Sequence, residues 1–268
     1  MKKIVVILTI MVCISRMVFT QPDYSFKQFG NTAEQPLKKQ WRYSLFSNAE
    51  YGISDKVSLR AHPVWFFVAP SAEVKWQWMG SEKRNIAFVH GITCPTPVMN
   101  IFAMSGTGGL ISPEFKIPVM FSIKNGIIST WRLNDRHKIT AEALIKFAVL
   151  NSKLQPGSSI DLPVISPRNA VYYKNVGLEA ALTNEGVLTG RFDYYSRLQA
   201  YLFPAGKKIY KEEYGSTSRF FGEYTAMVGW NISDKFKLGA GGRLCYGEYP
   251  FGTQWHLLPM LDFVRYVR

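Results

Sequence analysis

The sequence predicts an all-β protein: a transmembrane, antiparallel, up-and-down β-barrel of about 12 strands. Three observations predict it. Ala72, Val74, Trp76 and Trp78 share one face of a segment whose other face carries Glu73, Lys75 and Gln77. Successive side chains of a strand point to opposite faces, so this segment is a strand with one greasy and one charged side. The chain also opens like an export signal, with Lys2 and Lys3 ahead of an apolar run over 4–14. That run has the length of a signal h-region and falls short of the roughly twenty residues that a membrane helix needs. Finally, hydrophobic residues make up 47% and aromatic residues 15% of the chain, yet mean hydropathy is −0.04. A barrel spends only alternate residues on lipid, which keeps its average neutral, and it uses aromatics as interfacial girdles.

The expected organisation is a signal peptide over 1–20 and one barrel domain over 21–268. No later stretch is long and apolar enough for a membrane helix. Turn signals divide the alternating segments into hairpins. Gly52-Ile53-Ser54-Asp55-Lys56 separates strands near 41–51 and 57–67, and Asn231-Ile232-Ser233-Asp234-Lys235 separates 218–230 from 236–246. Further hairpins are expected at 72–79/85–94, 115–133/138–150 around Asn134-Asp135, and 171–183/187–202 around Asn184-Glu185-Gly186. A last strand is expected near 254–267 and a first near 24–32, which completes an even number. Helical spacing fails in these windows. Long connections at 95–114, 151–170 and 204–217 fall at the end opposite the short turns, the asymmetry expected of an outer-membrane barrel. A soluble sandwich would show the same alternation with its greasy face inward. Strand length, charge pairing and the one-sided long loops favour the membrane.

The segments Tyr51-Gly52-Ile53-Ser54-Asp55-Lys56-Val57-Ser58-Leu59 and Trp230-Asn231-Ile232-Ser233-Asp234-Lys235-Phe236-Lys237-Leu238 resemble the periplasmic turns of Gram-negative outer-membrane β-barrel proteins. The resemblance is to the class as a whole, not to a functional family. It implies residence in the cell outer membrane, a lipid bilayer as partner, and handling by periplasmic chaperones and the outer-membrane assembly machinery.

Net charge is +13. Removing Lys2, Lys3 and Arg16 with the signal leaves +10 (13 − 3). The basic residues are strewn singly along strands rather than gathered in a stripe, which excludes a nucleic-acid partner. The face expected to line the lumen carries Arg42, Arg60, Lys75, Lys116, Lys124, Arg132, Lys138, Lys146, Arg191, Arg197, Lys237 and Arg243. Against these stand Glu50, Glu73, Glu142, Glu179, Asp193 and Glu223. An open lumen with this excess favours small anionic solutes. The alternative is a non-transporting structural or binding barrel that uses its long extracellular loops, its interior filled by paired charges. A lipid-acting enzyme is a third reading. It needs serine beside histidine, for which Ser58 with His62, or His256 with a serine of the first strand, are the candidates. The acid pair Glu223/Asp193 is a weak candidate for acid–base work. No cofactor or metal-ligand motif is present, and Cys94 and Cys245 lack metal spacing, so no metal or cofactor is expected.

Overall fold

The computed structural model describes residues 31–45, 47–106, 111–155, 157–158, 160, 162–205, 218–249 and 252–267. The expected signal peptide and most of the expected first strand lie outside them. Twelve strands form a closed barrel: β1 (Trp41–Ser44), β2 (Ala49–Gly52), β3 (Val57–Ala61), β4 (Ser71–Gly80), β5 (Arg84–Thr93), β6 (Met120–Asn134), β7 (His137–Leu150), β8 (Val176–Thr189), β9 (Phe192–Leu202), β10 (Phe220–Ser233), β11 (Phe236–Tyr249) and β12 (Gly252–Val267). Each strand pairs antiparallel with its chain neighbours, and β1 closes the ring on β12 through Trp41↔Val267 and Ser44↔Val264. Among the described residues three short helices interrupt the loops: α1 (Pro63–Phe66), α2 (Thr96–Phe102) and α3 (Ser166–Lys174).

The alternation resolves as greasy outside and charged inside. Trp76, Phe121, Ile123, Leu182, Leu198, Val228 and Leu257 are exposed, Leu257 at 74%. Their neighbours Lys75, Ser122, Thr183, Gln199 and Met227 are buried, Lys75 at 0%. A strand of fourteen residues such as β7, β8, β10 or β11, tilted about 45°, spans roughly the 30 Å hydrocarbon layer. No helix among the described residues is long and apolar enough to cross a membrane.

Several local expectations are corrected. The 41–51 segment is two strands, because side chains rather than a ladder satisfy the backbone at 44–47. The Ser44 hydroxyl accepts from the Ser47 N–H at 2.9 Å, and the Leu45 N–H donates to Asp262 at 2.8 Å. This extra turn restores the count of twelve, since Asn31 and Thr32 are not strand. The strand expected over 57–67 ends at Ala61. Pro63 cannot donate to a ladder, and His62 caps α1 by accepting from the Trp65 N–H at 3.2 Å. Residues 115–119 are not strand; Phe115 and Ile117 pack instead against the buried loop cluster. Residues 171–174 belong to α3, which starts at Ser166-Pro167 and stops at Asn175 in the left-handed conformation, φ 65°. Proline at a helix start and a residue that tolerates positive φ just past its end are ordinary helix boundaries. Finally, Asn184-Glu185-Gly186 is strand. The chain turns at Gly190-Arg191, where Gly190 takes φ 50°.

The wall is uneven. β1, β2 and β3 have four, four and five residues, while β12 has sixteen. Among the described residues, β12 from Gly252 to Phe263 therefore pairs with β11 only. Pro259 stands in that stretch, where its missing N–H costs no ladder bond.

The outward orientation has a direct test. Val228→Arg on β10 should destabilise the barrel by about 2–4 kcal/mol in phospholipid vesicles, the cost of a cation at mid-membrane. Denaturant titration with heat-modifiable gel mobility reads it, and an unchanged midpoint would contradict the assigned face.

Candidate functional site

The lumen is built from pairs that neutralise each other between adjacent strands or across one intervening strand. Arg42 on β1 meets Glu50 on β2 at 2.9 Å, and Lys75 on β4 reaches the same carboxylate at 2.5 Å. Glu73 takes Arg60 at 3.2 Å and also Lys124. Farther round, Lys146 pairs with Glu179 at 2.5 Å, Arg197 with Glu142 at 2.5 Å, and Lys237 with Asp193 at 2.6 Å. Burying any of these ions alone would cost several kcal/mol, so the wall strands depend on one another's charges.

Two segments close this lumen from opposite ends. At the short-turn end, residues 31–37 run inside the barrel as a strap. Ala33 is fully buried against Ala87, Val89 and Ile128, and its N–H donates to the Thr130 hydroxyl at 2.9 Å. Lys75 donates to the carbonyls of Thr32 at 3.0 Å and Glu34 at 2.5 Å. The Glu34 carboxylate pairs with Arg132 at 2.8 Å and with Lys138. Burial by itself raises the Glu34 carboxyl, but Lys138 and Arg132 outweigh it and hold it below the usual carboxylate range. The strap leaves past Gly52, where a Cβ would stand 2.3 Å from the Leu37 carbonyl oxygen, so only glycine admits this approach.

At the long-loop end α3 fills the mouth, with every residue but Arg168 buried. The Tyr172 hydroxyl shares a 2.8 Å hydrogen bond with Ser122 of β6. Arg168 pairs with Glu223 of β10 and lies over the rings of Trp65, at 4.8 Å, and Tyr201, at 5.4 Å. Met99, Ile111, Ile160, Ile165 and Val171 pack with α3 as a buried apolar lid. Each such side chain contributes about 1.5–3 kcal/mol of burial.

Between strap and lid lies a chamber of about 180 Å³. Arg60, Lys124, Lys146, Arg168, Arg197 and Arg243 line it, with Glu73, Glu142 and Glu179. The lining runs out to Ser47, Val68 and Ala69 at the loop end, all half-buried.

The structure thus places Arg60, Lys124, Arg197, Arg243 and Glu142 around one chamber. Arg42 and Lys75 lie with Glu50, Asp193 lies with Lys237, and Arg132 sits at the short-turn rim on Glu34. Glu223 stands behind Arg168 and Arg243. Two residues lie off the wall. Lys116 is exposed in the loop ahead of β6, and Arg191 is exposed in the β8–β9 turn. Sequence reasoning missed Glu34, Arg168, Asn169 and Tyr172, because loop and strap residues carry no wall periodicity.

The candidate enzyme residues are otherwise engaged. Ser58 donates to Glu50 at 2.5 Å, His62 caps α1, and His256 packs edge-on to Tyr249; Ser25, the serine of the expected first strand, lies outside the described residues. Glu223 and Asp193 are each held by their own cations. Cys94 and Cys245 are free thiols.

A sealed ring of strands with lipid-compatible side chains outside and ions inside has one environment that suits it. The protein is a membrane-spanning β-barrel. No family model matches the chain, and no curated protein sequence matches it. Solved structures that it resembles include the NanC porin, at 8% identity and TM-score 0.47, covering 85% of this chain and 96% of that one. A bacterial polysaccharide outer membrane secretin follows at 11% and 0.44, covering 85% and 70%. The outer membrane channel DcaP of Acinetobacter baumannii matches at 9% and 0.41 over 85% of this chain. The chain spans 61% of that channel's length.

The strap should be acid-labile. A depressed Glu34 contributes docking free energy that is fully present above the free carboxyl value of about 4.3 and is lost as pH falls through its lowered value. Hydrogen-exchange protection of the Ala33 amide, corrected for intrinsic rate, should hold at neutral pH and collapse in acid. Glu34→Gln should lower that protection already at neutral pH; equal protection in variant and wild type would show that the carboxylate does not hold the strap.

Proposed function

We propose that this barrel passes small anionic solutes through a lumen that the strap and α3 hold shut at rest. The chamber's charge carries the reading. Six cationic side chains line it against three carboxylates, an excess of +3 (6 − 3). Glu223 behind Arg168 and Arg243 reduces this to +2. Basic side chains at a constriction lower the barrier for anions and raise it for cations. Each closure is tied to the wall by ion pairs, Glu34 with Arg132 and Lys138, and Glu223 with Arg168.

A second reading has its own support. The lid contains fully packed apolar residues such as Met99, Ile165 and Val171, as suits a permanently filled barrel that binds a partner through its loops.

Planar-bilayer recording separates the two. Wild-type protein should be nearly silent. A Glu34→Gln/Glu223→Gln variant, which keeps every cation, should open and show an anion-selective reversal potential under a salt gradient. Cation selectivity, or silence of a variant that still folds by heat-modifiable mobility, would overturn passage; the silent result favours the loop-binding barrel.

A further inference from the structure

Resting on that reading of the chamber's charge, we infer that the barrel wall carries a lateral window facing the long-loop half of the bilayer. Its occupant is an anionic amphiphile, with a carboxylate head in the chamber and one acyl tail passing sideways into lipid. The wall itself supplies the window. β1, β2 and β3 are four, four and five residues long, at most about 17 Å of strand, and all three lie at the short-turn end. β12 continues past them, and among the described residues no strand pairs with its flank from Gly252 to Phe263 on that side. Leu261 is in register with Ala240 and, through it, with Val228 at mid-membrane. The open flank therefore rises from the middle of the hydrocarbon layer toward the loops.

The flank is open in chemistry as well as in outline. The Tyr266 N–H donates to the Lys235 carbonyl at 3.0 Å, and the β11–β12 register runs unbroken. Even-numbered residues of β12 thus turn their backbone polar groups to β11, and odd-numbered ones turn theirs to the gap. Trp255, Leu257 and Leu261 present amides there, and Pro259 presents a carbonyl alone. Side-chain exposure shows the missing neighbour: 64%, 74% and 65% for Trp255, Leu257 and Leu261, against 48% for Val228 and 52% for Leu182, which have strands on both sides. An open sheet edge persists at membrane depth only where it borders a polar cavity or protein. The chamber is that cavity. With strap and α3 closing the two ends, its lining still reaches Ser47 and Asn48 in the β1–β2 turn, His62 above β3 and Trp65 of α1.

A second copy does not fill the gap by strand pairing. Inserted the same way round, about a two-fold along the membrane normal, its tilted β12 crosses this one instead of aligning. Pro259 withholds an N–H that any added strand needs in the middle of the flank. What remains at that depth is lipid. An amphiphile meets each surface: its tail lies against Trp255, Leu257 and Leu261, the edge amides donate to its carboxylate, and the chamber's positive excess sets the sign of its head.

Photolabelling tests the window on the full-length barrel in phosphatidylcholine vesicles. The probe is dodecanoate carrying a diazirine beside its carboxylate, with labelled residues mapped by mass spectrometry. Label is expected on Ser47, His62 and Leu257 well above that on Leu198, on the outer wall away from the gap. Unlabelled dodecanoate should compete it away. Dodecylammonium, with the same tail and the opposite charge, should not compete, nor should acetate, which lacks the tail. Ser47→Trp, which fills the foot of the window, should cut the labelling of His62 several-fold while keeping wild-type heat-modifiable mobility; should that variant not fold, competition on the wild type still decides. Even labelling of the whole outer wall, equal competition by dodecylammonium or acetate, or undiminished label in a folded Ser47→Trp barrel overturns the window. The bilayer recordings report separately: anion conductance without chamber label keeps passage and removes the window, and chamber label with a silent opened variant keeps the window and removes ion passage.

Discussion

A narrow barrel must neutralise its own interior, and that constraint organises this molecule. The membrane takes the apolar face of every strand, which forces each polar residue inward, where water is scarce. The wall answers with cross-strand pairs such as Arg42–Glu50, Arg197–Glu142 and Lys237–Asp193. The strap adds a carboxylate to the wall, Glu34, for Arg132 and Lys138. The lid works in the opposite sense. It brings the cation Arg168 to Glu223, whose wall partner Arg243 stands farther off at 3.5 Å. Both plugs thus extend the wall's electrostatics and add apolar packing of their own, Ala33 below and Val171 above.

This arrangement links stability to function. A lumen filled by loop and strap closes without a separate gating domain. The chamber left between the two plugs inherits the wall's positive excess.

The architecture was legible wherever both faces of a strand were written in side chains. Ile139 to Val149 against Lys138, Thr140 and Glu142 reads as β7 with its register, and the two Ile-Ser-Asp-Lys turns fall where the chain reverses. What alternation cannot say is whether a segment belongs to the wall or lies inside it. Residues 24–32 read as a strand, yet Thr32 and Ala33 are luminal strap. Lys116 alternated in phase with β6 but precedes it, in a stretch drawn away by Phe115 and Ile117 packing on the lid. α3 stayed hidden because a nine-residue helix with polar and aromatic residues on all sides has no apolar stripe. The chamber's Arg60, Arg197, Arg243 and Glu142 were legible as inward residues. Their grouping, and the contribution of Arg168 and Asn169, required the fold.

The central claim is that ion pairs reaching from plug to wall, rather than apolar packing alone, hold the lumen closed. A double-mutant cycle on Arg168→Ala and Glu223→Ala, read from unfolding free energies in phospholipid vesicles, measures it most directly. The account predicts a coupling free energy of about 1.5 kcal/mol or more, as for a buried charge-assisted pair. Additive single-mutant effects, with coupling near zero, would contradict it.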